Sequence, residues 1–597
     1  MSFKPAALYP CAPQTTRGES TKISSHGDKI VYTNGKTVII RDLNTPERGI
    51  AYSGHVQPTT VARISPTGYY CASADAGGTV RVWDIAGTDQ TLKGEYKVIA
   101  GKLKDLAWDG ESKRIIAVGD GRERFGHAFM FDSGSSTGEI AGHSKPINAV
   151  AIRHQRPYRA ATAGDDALIV FHSGAPYKYT KTINTHTRFV QDVQYAPSGA
   201  VFASVGSDYK IFLYDGTSGD TLVELTDSPH TGTIYAAAWN AGSTTLATAA
   251  ADGTVKLWDA ESRKSTRTYT LGSGVDAQQV GATWTPRGIV SLAMSGALTV
   301  LDERAPEPVQ ILRGVQKGIT AGSVAANNTF LAGAYDGRVV RFENDGKTDV
   351  VTGPGHTGQV VGIAPVSGAG ERVVSVGFDD CAREINTSFV TTTVALGGQP
   401  RALSAAGDDG TAFVATSSGL AVVKDGQRIA TSKLDFNALS IASGTGGVLA
   451  VGGEDAKIRV YDWKNGALAP RSGTLDGSRG AVSALAFSPD AKLLAAGDST
   501  GKIVVYDLEK FAPSITRWSF HTARIASLVW RADGRALASG ALDTHVYVWS
   551  LSNPAKYVAI RNAAPGGCSV VAWRGNSEVL SAGADACVRV WTVEVPQ

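Results

Sequence analysis

Apolar and polar residues alternate one by one through most of this chain, in short runs that break at glycine, aspartate, asparagine or serine. The run TVKLWD from Thr254 to Asp259 is typical, as is HVYVWS from His545 to Ser550. A period of two puts one face of an extended segment on a core and the other in water, so each run predicts a half-buried strand. No stretch sustains apolar residues at helical spacing, and the fold class read from the pattern is all-β.

The runs also repeat. HTGTIYAAAWNAGSTTLATAAADGTVKLWD, from His230 to Asp259, is nearly superimposable on HTARIASLVWRADGRALASGALDTHVYVWS, from His521 to Ser550. The strand that closes this unit ends at Asp42, Asp84, Asp132, His172, Asp215, Asp259 and Asp302, then at Glu343, Asn386, Lys424, Asp462, Asp507, Ser550 and Thr592. Successive ends lie on average about 42 residues apart, the period of a four-stranded propeller blade. Because one propeller holds roughly four to eight blades, fourteen units predict two seven-bladed β-propellers in tandem. The boundaries read from the repeat are 11–315 and 316–597, with the crossing between Gly314 and Gly318. The last unit stops at its third strand near Val593, so the otherwise unassigned segment 2–9 is expected to supply its outer strand and close the second propeller.

Complete units carry a histidine before the first strand, a hydroxyl on the second, an aspartate in the next hairpin and an aromatic on the third. His230, Thr248, Asp252 and Trp258 form one such set, and His521, Ser539, Asp543 and Trp549 another. His186, Ser204 and Asp208 form a partial set with Tyr214 in the tryptophan position. A buried imidazole, hydroxyl and carboxylate persist only by satisfying one another, so each set is expected to tie three strands together. In these residues the repeat resembles the WD40 family over nearly the whole chain. The units ending at Asn386 and Lys424 are the most degenerate and are expected to rely on apolar packing instead.

Composition narrows the function. The 68 glycines make up about 11% of 597 residues, against about 7% in ordinary proteins, which suits a chain of many turns. With 58 Lys plus Arg against 55 Asp plus Glu the net charge is +3, which argues against a polyanion-coating protein, so no nucleic-acid partner is expected. No run reaches the roughly 18 apolar residues of a membrane span, and Met1 to Thr16 lacks a secretory pattern. A soluble, intracellular, cytoplasmic protein with no membrane partner is the expectation. Cys11, Cys71, Cys381, Cys568 and Cys587 are dispersed, and read as buried thiols rather than metal ligands. Gly134-Ser135-Ser136-Thr137-Gly138 imitates a nucleophile elbow, and Gly497 to Lys502 (GDSTGK) imitates a phosphate loop. Both lead into strands where those motifs require helices, so both read as turns. A non-enzymatic binding protein with no cofactor is expected, its function lying on its surfaces.

Residues 101–190 depart from the generic repeat. They hold 13 Lys plus Arg against 9 Asp plus Glu, an excess larger than that of the whole chain. GDGRERFGH (Gly119 to His127), FDSGSSTGEI (Phe131 to Ile140), the segment Ala141 to Asp166 and HSGAPYKYTKT (His172 to Thr182) interleave charges with aromatics. These insertions, with RGESTKIS from Arg17 and DKIVYTNGKTVIIRDL ending at Leu43, resemble the actin-interacting protein 1 family, the two-propeller WD-repeat partners of cofilin. The resemblance implies a monomeric protein of the cytoplasmic actin cytoskeleton. It would bind cofilin-decorated actin filaments, promote their severing and disassembly, and cap barbed ends. It also implies a partner surface on the first propeller at Glu123, Asp165, Tyr179 and Phe189, with Arg122, Arg124 and Lys178 beside them. The family commonly has Phe where Tyr179 stands. Read from the residues alone, Glu123 also suits a hairpin ion pair, and Phe189 a core position. Asp165 suits a partner for His143, lying six residues before Phe171 in the tryptophan position. The alternative function is a generic WD40 scaffold or adaptor, which explains the repeats but not the insertions.

Overall fold

A computed structural model describes residues 2–87, 89–325, 327–366, 372–386, 389–405, 410–464 and 466–595. Among these the chain forms fourteen four-stranded antiparallel sheets, with two short 3-10 turns and no α-helix. The fold is two seven-bladed WD40 propellers in tandem. The contacts divide it into one unit of residues 12–313 and a second made of 1–11 with 314–597. Blades are numbered 1–14 here in chain order.

In the first unit each blade is a contiguous stretch, from Ser24–His26, Lys29–Asn34, Thr37–Asp42 and Gly49–Tyr52 in blade 1 to the strand Gln310–Leu312 that ends blade 7. Blade 7 meets blade 1 through side chains. Ser25 Oγ donates to the Trp284 carbonyl at 2.6 Å, and Arg287 Nη1 to the Leu43 carbonyl at 2.9 Å. The second unit is closed differently. Phe3–Tyr9 is the outer strand of the sheet whose other three strands are Cys568–Arg574, Glu578–Gly583 and Val588–Val593. Phe3 pairs with Val593 and Tyr9 with Val588, with an irregularity after Pro5. That is where an outer strand tolerates a residue without an N–H. Phe3 packs edge-on against Trp591 at 5.9 Å, and the Cys11 amide donates to Cys587 Sγ at 3.4 Å.

Side chains between neighbouring sheets make the core. Ala, Val, Ile and Leu from one blade interdigitate with the next, as where Val80, Val82, Ile99, Leu103 and Phe129 form one fully buried cluster. Cys11, Cys71, Cys568 and Cys587 are buried within such layers and Cys381 is half-exposed. Among the described residues no cluster of metal-ligating groups and no helix long and apolar enough to cross a membrane is present.

One irregularity recurs and positions the functional face. In blades 2–14 the inner strand carries a bulge against the second strand, leaving one residue per blade without a paired partner. In the first propeller these residues are Thr60, Lys104, Asn148, Gln191, Tyr235 and Val280. In the second they are Thr320, Val361, Arg401, Leu439, Ser483, Ala526 and Ser569. A bulge re-aims its side chain, and here it turns residues toward the central channel.

Candidate functional site: the mouth of the first propeller

The polar sets set the geometry of each blade. His230 Nδ1 donates to Asp252 at 2.9 Å, Thr248 Oγ1 lies 2.8 Å from His230 Nε2, and Trp258 Nε1 donates to Thr248 Oγ1 at 2.9 Å. His521, Ser539, Asp543 and Trp549 repeat this at 2.9, 2.9 and 2.8 Å. His186, Ser204, Asp208 and Tyr214 do so with a tyrosine hydroxyl 3.0 Å from Ser204 Oγ. Burial pushes the Asp252 carboxyl up, but hydrogen bonds from His230 and Thr254 outweigh it and hold the group well below the usual carboxylate range.

Three sets were not legible in the sequence. His55, Ser73 and Trp83 use Asp75, which sits at the end of the second strand rather than in the hairpin. His356, Ser375 and Asp379 join in the blade ending at Asn386, so that blade does not depend on apolar packing alone. Its histidine lies one residue further from the hydroxyl and aspartate than in the sets of His186, His230 and His521, and the aromatic is replaced by Ile385, two places beyond Arg383, which faces Ser375. In blade 4, His143 Nδ1 pairs with Asp166 and its Nε2 with Thr162, each at 3.0 Å. Asp165 is therefore not the partner of His143. The tryptophan position of that blade is His172, whose Nε2 lies 3.2 Å from Thr162 Oγ1, and not Phe171. Burial, with His143 nearby, pushes the pKa of His172 down to about 4.

Asp165 is thereby available to the channel mouth. Its Oδ1 accepts from Asn148 Nδ2 at 2.7 Å, and its other oxygen faces Lys104 Nζ at 3.6 Å. Lys104 in turn donates to Asn148 Oδ1 at 2.8 Å. The ion pair Lys102–Glu19 at 2.7 Å stands beside them. These residues, with Phe189 and Gln191, line a mouth cavity of about 480 Å³. Two buried ion pairs, Lys22–Asp192 at 2.7 Å and Arg63–Asp105 at 2.8 Å, lie in the same propeller. Asp105 and Asp192 also accept the amides of Val150 and Ala237 from the inner strand of the next blade, which ties neighbouring blades together.

A backbone hydrogen bond places the mouth residues. In most blades the amide just after the second strand donates to the carbonyl of the residue leading into the inner strand. Asp165 donates to Pro146 at 2.9 Å, Ser207 to Phe189 at 2.8 Å and Arg122 to Ala100 at 3.3 Å. Asp165 and Phe189 are therefore members of this ring on successive blades, whereas in blade 3 the equivalent of Asp165 is Asp120 and Arg122 lies two residues further out. Phe189 is not a core residue; it is 48% exposed. Glu123 is exposed in the hairpin between Arg114–Gly121 and Gly126–Met130. Arg124 beside it spends its guanidinium on the Val98 carbonyl at 2.8 Å. Lys178 and Tyr179 lie on the outer strand Lys178–Ile183 of blade 4, away from the mouth. Tyr179 is 51% exposed, and its hydroxyl lies 3.1 Å from Thr182 Oγ1. A side chain at Gly142 would meet its ring at 2.9 Å, so that glycine makes room for it. The structure thus gathers Asp165 and Phe189 at the mouth, places Arg122 with Glu123 in the exposed hairpin of blade 3, and leaves Lys178 and Tyr179 on the outer edge. Lys104, Asn148 and Gln191 escaped the sequence reading; the signal for them is the bulge position of the inner strand, its second residue in Ile147–Ile152 and Val190–Tyr195 and its fourth in the longer Gly101–Trp108.

The two turns that imitate catalytic motifs are hairpins. Gly134 to Gly138 joins the third and fourth strands of blade 3. In GDSTGK the carboxylate of Asp498 accepts the amides of Thr500 and Lys502, at 2.9 and 3.0 Å, which a phosphate would have to take.

Comparison with known proteins agrees with this architecture. The family model described as "WD domain, G-beta repeat" matches residues 47–84, 177–215, 222–259, 470–507 and 513–550. Actin-interacting protein 1 of Drosophila melanogaster is 38% identical over 98% of both chains. WD repeat-containing protein 1 of Xenopus tropicalis is 35% identical over 99% of this chain and all of its own, and the 66 kDa stress protein of Physarum polycephalum is 34% identical over the whole of both. At 38% and 35% identity over nearly the full length of each, the chain belongs to the family of actin-interacting protein 1 and WD repeat-containing protein 1.

Proposed function

We propose that this protein binds actin filaments decorated with cofilin, favours their severing and disassembly, and caps the barbed ends so produced. The observation that carries the reading is the full-length similarity to a protein named for its interaction with actin. It is supported by the exposure of Phe189 and Tyr179, large side chains that a folded chain would otherwise bury. A binder shifts an equilibrium only through its differential affinity for two states. The mouth and outer edge of blades 3–5 would therefore grip the cofilin-altered filament more tightly than bare actin. The protein acts as a monomer in the cytoplasm, on the actin cytoskeleton, with the cationic excess of residues 101–190 steering the encounter.

Cosedimentation with actin, with and without cofilin, tests the proposal. The expected result is pelleting that depends on cofilin, together with more actin left in the supernatant. Equal, negligible pelleting in both conditions defeats it.

A further inference from the structure

The second propeller has a mouth of its own, and its chemistry differs from that of the first. A cavity of about 620 Å³ opens there, lined by bulge residues of all seven blades. Around it stand the same ring positions that hold Asp165 and Phe189 in the first propeller. Tyr335, Phe378 and Leu542 each follow a second strand, and Leu542 donates its amide to the Arg524 carbonyl at 3.1 Å just as Ser207 does to Phe189. Those three side chains are 64%, 47% and 49% exposed. Phe378 and Leu542 line the cavity itself, and Tyr335 holds the same position on the blade beside that of Phe378.

The charge is one-sided. Among the described residues that line this cavity the only ionisable ones are Arg401 and Arg524. Arg401 is the one charged bulge residue of its propeller, and Arg524 stands at the ring position three blades further on. In the first mouth Lys102 and Lys104 are answered by Glu19 and Asp165. Here, among the described residues, neither guanidinium has a carboxylate within ion-pair distance, although arginines on this propeller such as Arg459 and Arg574 are paired. Two forked donors standing among polar side chains such as Gln359, Gln399 and Ser483, with the apolar Phe378 and Leu542 at the same mouth, fit a carboxylate flanked by apolar residues.

We propose that the mouth of the second propeller is a docking site for an extended acidic polypeptide segment. A carboxylate enters between Arg401 and Arg524, and flanking apolar side chains rest on Phe378 and Leu542. This site is independent of the filament-binding reading, since it shares no residue with the first mouth.

The test uses the full-length protein and a phage-displayed library of randomised dodecapeptides. Selection should enrich aspartate or glutamate flanked by apolar residues. Synthetic copies should lose roughly tenfold or more in affinity for the Arg401→Ala/Arg524→Ala protein, and weaken as salt rises. Phe378→Ala should weaken them too, and Phe189→Ala should leave them unchanged. The proposal is overturned if the library yields no binders, if enriched peptides carry no acidic bias, or if they bind the double variant as tightly as the parent. It is likewise overturned if inorganic pyrophosphate displaces them at the concentration of the peptide itself, which would make the pocket a small-anion site. The melting temperature of each variant, unchanged for these exposed positions, separates lost binding from lost fold.

Discussion

Two adjacent aspartates in blade 4 divide structure from surface. Asp166 is held against His143, and Asp165 against Asn148 and Lys104 at the mouth. Asp166→Asn removes a charge that burial and the histidine have balanced, and should cost on the order of 1–3 kcal/mol in urea unfolding. Asp165→Asn should leave unfolding within about 0.5 kcal/mol of the parent and weaken filament binding instead. Folded Glu123→Lys and Phe189→Ala proteins should slow cofilin-dependent disassembly; wild-type rates would remove those residues from the site. The same blade supplies a pH dependence. His172 has a folded pKa of about 4 against about 6.5 unfolded, so between those values the unfolded chain binds more protons and stability falls as pH falls. The loss from this group approaches about 3 kcal/mol by pH 4. His172→Tyr, which copies Tyr214, should flatten that slope in urea melts taken stepwise from pH 7 to 4. These roles were only half legible. Ile169, Val170, Phe171 and His172 are all buried, so alternation carries no sign of which faces inward, and the tryptophan position shifts by one.

At the scale of the strand, the repeat was legible because a two-residue period survives every substitution among Val, Ile, Leu and Ala. The bulges were not, because an unpaired residue changes register without changing composition. That is why the mouth residues Lys104, Asn148 and Arg401 look like ordinary strand positions in the sequence. The strand Phe3–Tyr9 carries its own prediction. It pairs along Val588–Val593, sets Phe3 edge-on against Trp591 and sends the Tyr9 hydroxyl to the Glu343 carbonyl at 3.3 Å. Removing residues 1–10 leaves the last blade three-stranded with Trp591 stripped, and should lower the melting temperature of the second propeller sharply. An unchanged melting curve would contradict the strand's closing role.

For the molecule as a whole, the two units differ in how they reach closure. Residues 12–313 contain every strand of seven blades, so a fragment of those residues should fold alone, with a cooperative melt and β-type circular dichroism. A fragment of 314–597 lacks its fourteenth outer strand and should melt lower unless a peptide of residues 1–11 is added back. The sheet that joins Phe3 to Val593 also fixes an order of events during synthesis. On the ribosome the strand Phe3–Tyr9 has no partner until Val588–Val593 follows it, roughly 30 to 120 s later at ordinary elongation rates. The first propeller can complete itself during that interval, while the leading strand stays unclaimed and open to chaperones. Emergence of Val588–Val593 is then the step that seals the second ring.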